Sequence, residues 1–209
     1  VVADLPAISD LAERHDALVM VDDCHATGIL GPNGAGTPDH WGVRDRVHIV
    51  TGTYGKALGG AMGGFIAGPA PVVALLRNRA RPYLFSNALA PALAAAATEA
   101  IAMIAEGGDL RARLHANAAR FREAMAAEGF VLAGAGHPII PVMLGDAVLA
   151  RRFAEAMMDK GVFVTAFSHP VVPEGAARIR TQMSAAHAPE DLDHAVAAFA
   201  ATGRELGVI

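Results

Sequence analysis

Two short segments hold the residues that could do covalent chemistry. Val21-Asp22-Asp23-Cys24-His25-Ala26-Thr27-Gly28 sets two acids, a thiol and an imidazole at the end of an apolar run. Thr51-Gly52-Thr53-Tyr54-Gly55-Lys56-Ala57-Leu58-Gly59-Gly60 sets an amine among glycines. An amine can form an imine with an aldehyde, a carboxylate can keep a pyridine nitrogen protonated, and hydroxyl and backbone groups can hold a phosphate. Pyridoxal 5'-phosphate (PLP) makes those three demands of a protein. Lys56 is then the candidate imine-forming amine and Asp22 the partner of the pyridine nitrogen. His25 suits a contact to the ring hydroxyl or to a substrate. Thr53, three residues before Lys56, suits the phosphate.

Each of these residues also has an ordinary reading. Asp22 or Asp23 suits a turn cap after a strand. His25 suits a satisfied loop histidine, Thr53 a turn threonine, and Lys56 a solvated loop lysine. Asp22, Cys24 and His25 form a weak metal pattern, because no second ligand cluster has zinc-site spacing. Gly55-Lys56 superficially matches a nucleotide P-loop, but Ala57 replaces the metal-binding hydroxyl and the first glycine is misplaced. The company of these residues, more than any one of them, favours the PLP reading.

The elements that must position them follow from periodicity. Residues 4–16 read as a helix. Ala17 to Val21 reads as a buried parallel strand, His48 to Thr51 as a second strand and Gly64 to Gly68 as a third. Gly28 to Pro38 is rich in glycine and proline and reads as a loop. Helices are expected at 69–79 and 88–106. Strands alternating with helices indicate an α/β layer. Beyond it, Leu110, Leu114, Phe121 and Met125 stripe one helix, Leu149, Phe153 and Met157 another, and Leu192, Val196 and Phe199 a third. Strands are expected at 139–144, 161–165 and 177–183. That texture is α+β, and the domain boundary is placed near Gly107-Gly108, giving domains 1–105 and 106–209.

Composition narrows the function. The 209 residues carry a formal net charge of −4, which argues against a nucleic-acid partner. The single cysteine, Cys24, excludes an internal disulfide and fits a reducing compartment. The longest apolar stretch, Ala88 to Ala105, is mostly alanine and contains Pro91, Thr98 and Glu99. No membrane span is expected from it, since a span needs about 20 strongly apolar residues. Asp4, Asp10 and Glu13 fall where a signal peptide would be basic, so a cytoplasmic location is expected. Arg77, Arg79 and Arg81 suit either an acyl-carrier phosphate or partner contact, or a solvated helix end.

The two segments above, with Arg81-Pro82-Tyr83-Leu84-Phe85-Ser86-Asn87 and Arg178-Ile179-Arg180-Thr181-Gln182-Met183-Ser184-Ala185-Ala186-His187, resemble the α-oxoamine synthases. These are PLP-dependent transferases of the aspartate-aminotransferase-like fold type I. The resemblance covers essentially the whole chain, which looks like the C-terminal half of such an enzyme. It implies part of the PLP-binding large domain followed by a small C-terminal α+β domain. It implies the roles given above for Asp22, His25, Thr53 and Lys56, with Lys56 also moving protons. It adds Ser86, reaching the phosphate of a neighbouring subunit in a homodimer with shared active sites, and Arg180, preferred over Arg178, binding the substrate carboxylate. The implied reaction condenses glycine with acetyl-CoA to 2-amino-3-oxobutanoate and CoA, run in reverse during threonine breakdown. Two alternatives stand beside it: a member that takes alanine and a longer acyl thioester, and an inactive truncated remnant.

Overall fold

A computed structural model describes residues 2–60 and 62–209. They form two compact units, 2–111 and 112–209.

In the first unit, helix α1 (Leu5–Arg14) starts where the Asp4 carboxylate accepts the Ala7 N–H at 3.1 Å, satisfying a donor that the first turn leaves open. Strand β1 (Met20–Asp22) runs parallel to β2 (Ile49–Thr53), with Asp22 opposite Thr51. Strand β3 (Gly64–Ala67) closes the other side of β2 antiparallel, with Thr53 opposite Gly64. The carboxyl ends of β1 and β2 therefore open on one sheet edge, where open α/β sheets place their ligands. A small core of Leu5, Val19, Val21 and Val43 lies under this sheet. Only Val21 of β1 is buried; Met20 is 65 % exposed.

Helix α2 (Thr37–Trp41) begins inside the stretch expected to be loop. It carries no apolar stripe, so periodicity did not mark it. Helices α3 (Ala70–Arg79), α4 (Arg81–Phe85) and α5 (Pro91–Glu106) follow, and the alanine-rich α5 buries only Ala97 among its described positions. Among the described residues no helix is long and apolar enough to cross a membrane.

Helix α6 (Gly108–Ala127) leads into the second unit. Its antiparallel sheet has the order β4 (Ile139–Gly145), β6 (Ala177–Gln182), β5 (Thr165–Phe167). Helices α7 (Ala147–Asp159) and α8 (Pro189–Glu205) complete it. The core is aromatic: the Phe199 ring lies 5.5 Å from Phe153 and 6.0 Å from both Phe121 and Phe130, centroid to centroid. The strand expected at 161–165 instead starts at Thr165. The reason is local. The N–H groups of Gly161 and Val162 turn back to the carbonyls of Met158 and Met157. Those bonds close the end of α7 and leave 161–164 outside the ladder, although Val162 and Val164 still pack on the core.

Candidate active site

Asp22 is the last residue of β1 and is exposed. Its Oδ1 accepts the Cys24 N–H at 3.0 Å, the Asx turn that short acidic side chains make two residues ahead. The Cys24 thiol bonds the same carboxylate, and the charges of Lys56 and His25 add to it. Together they hold the Asp22 carboxyl below its ordinary range. The same arrangement pushes the Cys24 thiol up, first through its bond to Asp22 and then through desolvation, which disfavours the thiolate.

The amine comes from the next strand end. β2 finishes at Thr53, and the turn that follows carries Lys56, which is exposed. The Thr53 hydroxyl donates to the Gly63 carbonyl at 3.2 Å and accepts the Gly55 N–H at 3.1 Å. The Lys56 carbonyl accepts the Gly59 N–H at 2.9 Å, and the Gly60 N–H closes onto Tyr54 at 2.6 Å. Gly52 has a packing reason: a Cβ there would overlap the Phe65 ring, which stacks against Tyr54 with centroids 5.7 Å apart. The sheet thus brings Asp22, His25, Thr53 and Lys56 to one edge, close enough for Lys56 and His25 to act electrostatically on Asp22.

Ser86 caps the C-terminus of α4, exposed, its N–H donating to the Pro82 carbonyl at 3.2 Å. Just upstream the Arg81 guanidinium lies over the Phe85 ring at 5.4 Å. Arg180 belongs to the second unit. It pairs with Pro141 of β4 and Thr165 of β5, and its guanidinium lies over the Phe167 ring at 5.6 Å. Arg178 instead bonds the Ala176 carbonyl at 2.9 Å, which engages its Nε locally. Among the described residues no group of three or more His, Cys, Asp and Glu is placed to hold a metal.

The turn-cap reading of Asp23 understates its burial, and Asp39 carries no reading in the sequence. Asp23 is 1 % exposed, and both its oxygens accept the Thr37 N–H, at 3.0 and 3.2 Å. Asp39 accepts Asn33 N–H at 3.0 Å and Ala35 N–H at 3.4 Å. The signal for Asp23 was present: Gly36-Thr37-Pro38 has the composition of a helix start, and a helix start needs an acceptor.

The donor set suits PLP. An ionised carboxylate and an amine stand at the ends of adjacent parallel strands, and a hydroxyl and an N–H lie in the turn between Thr53 and Lys56. Comparison with known proteins agrees. The model of the family "Aminotransferase class I and II" matches residues 1–199. The 2-amino-3-ketobutyrate coenzyme A ligase of Escherichia coli strain K12 is 58 % identical over all 209 residues, which are 52 % of its own length. The 8-amino-7-oxononanoate synthase of Symbiobacterium thermophilum is 43 % identical over 208 residues, 53 % of its length. A serine palmitoyltransferase from S. paucimobilis, solved with PLP and myriocin bound, superposes with a TM-score of 0.94 at 32 % identity, covering 99 % of this chain and 52 % of that one. The chain spans about half the length of the curated relatives it matches.

Proposed function

The chain belongs to the aminotransferase class I and II family, and we propose that it carries the lysine-bearing half of a PLP-dependent acyltransferase that joins glycine to acetyl-CoA. The observation that supports this reading is the placement of Asp22 at the end of β1 and of Lys56 in the turn that follows β2, near enough for its charge to help hold the Asp22 carboxyl below its ordinary range. The choice within the family rests on identity: 58 % to the ketobutyrate ligase against 43 % to the oxononanoate synthase.

When bound, PLP supplies the electron sink for a carbanion at the glycine α-carbon. The protein supplies placement and charge. Asp22 would hold the ring nitrogen with its negative charge and His25 the ring hydroxyl. Thr53, whose hydroxyl now bonds the Gly63 carbonyl and the Gly55 N–H, would hold the phosphate. Lys56 would hold the aldehyde and serve as the general base for the glycine α-proton. In the net reaction a carbon–carbon bond forms between the glycine α-carbon and the acetyl carbonyl. The carbon–sulfur bond breaks, and CoA leaves as the thiol. Arg180 pairs its planar fork with the glycine carboxylate. Ser86 serves the phosphate of a partner subunit in a homodimer.

The test is a competition of substrates in a protein of the relatives' full length carrying this sequence. Glycine with acetyl-CoA should give the higher kcat/KM. A higher value for alanine with a pimeloyl thioester would transfer the protein to the oxononanoate branch.

A further inference from the structure

The buried acid next to Asp22 has no part in the chemistry above. Successive side chains on a strand point to opposite faces, so Asp22 opens to the site while Asp23 points the other way, to 1 % exposure. A carboxylate removed from water must be hydrogen-bonded or it costs several kcal/mol. Asp23 is satisfied by groups that are far apart in sequence. Its oxygens accept the Thr37 N–H and a bond from the Thr27 side chain. Its main chain is equally engaged: the N–H donates to Thr51 of β2 at 2.8 Å, and the carbonyl accepts the N–H groups of Ala26 and Thr27, both at 2.9 Å. Gly36 leaves the room for this, since a Cβ there would overlap the carboxylate.

Asp23 is therefore the node where β2, the turn bearing His25 and the start of α2 meet. Asp22, one residue before it, and His25, two residues after it, are the two groups assigned to the cofactor ring. We propose that Asp23 is a positioning residue for PLP: its buried carboxylate locks the 22–27 turn onto Thr37, and so fixes the Asp22 carboxylate and the His25 imidazole at the spacing that the ring requires. This rests on the PLP reading of the preceding subsection. Asp39 provides the contrast. It anchors the same loop at Asn33 and Ala35, and bonds none of the residues assigned to the cofactor.

The experiment compares Asp23→Asn and Asp39→Asn in the full-length protein. PLP affinity is read by absorbance titration, the visible band is followed against pH, and melting is read by circular dichroism. If the wild-type protein shows no visible band with PLP, the cofactor reading fails first and is recognised as such. With a wild-type band present, D23N should weaken PLP about 10-fold or more and displace the pH titration of the band, while D39N lowers the melting temperature but keeps PLP affinity within about twofold. Equal effects of the two substitutions on PLP, or no effect of D23N, would overturn the proposal. Should D23N not fold, Thr37→Pro removes both the donated N–H and the Thr37 side chain's bond to the Asp23 carboxylate at a position where helices accept proline, and it enters the same comparison with the same two outcomes.

Discussion

Replacing Asp22 by Asn isolates the charge on which the reading depends. The amide is isosteric and keeps an oxygen that can accept the Cys24 N–H, now at 3.0 Å, so the turn should survive. The negative charge opposite the ring nitrogen is lost. A hydrogen bond to a charged group is worth about 1.5–3 kcal/mol, which is about 10- to 150-fold in affinity. Asp22 is exposed in this structure, and solvent screening moves the expectation to the low end, about 10-fold. The pH dependence has a definite sign. A carboxyl held below its ordinary range contributes above that range and loses its contribution only as pH falls through its own pKa. Wild-type PLP affinity should therefore show no Asp22-linked loss between pH 8 and about pH 5. The assay is a PLP titration of the full-length apoprotein, followed by visible absorbance, across that range. D22N binding PLP within twofold of wild type, with unchanged folding, would refute the role of Asp22.

Three further outcomes are expected. Lys56→Ala should abolish borohydride-fixed attachment of PLP, read as intact mass, and retained attachment would move the imine to another amine. Arg180→Ala should raise the KM for glycine about 10-fold or more while PLP affinity stays level; equal losses in both would remove its substrate role. Phe199→Ala should destabilise the second unit by about 3–5 kcal/mol, because Phe199 is 1 % exposed and touches three other rings. A urea midpoint that barely moves would show that the aromatic core can collapse around the gap.

The elements around the site were legible because strands and helices there obey simple periods. β1 and β2 were found to within a few residues, and so were the striped helices α6, α7 and α8. The parallel pairing of β1 with β2 followed from the apolar run before Asp22. The antiparallel return of β3 did not, since Gly64 to Ala67 looks the same in either direction. Short helices without a stripe, α2 and α4, were invisible to periodicity. The site divided in the same way. Asp22 and Lys56 announced themselves by type and punctuation, whereas Ser86 and Arg180 rested on resemblance. Asp39 was unreadable because its partners include backbone N–H groups, which every residue but proline possesses, and for Asp23 only the helix-start composition at 36–38 pointed to a distant partner.

The adjacent acids at 22 and 23 show what the fold adds to the letters. In sequence they are the same residue type side by side. The pleat separates them, and their environments drive them in opposite directions. Burial pushes the Asp23 carboxyl up against the Thr37 N–H bonds that oppose the shift, while two hydrogen bonds from Cys24 pull the Asp22 carboxyl down. An electrostatic partner for a cofactor must be charged and already oriented, because reorganising dipoles during the reaction costs free energy. On the proposed reading, Asp22 would meet that requirement through its short side chain, which folds back on the N–H two residues ahead. Asp23 would meet the complementary one, giving up solvent to hold the backbone on which that turn is built. One dipeptide would then supply both the charge and the frame that aims it.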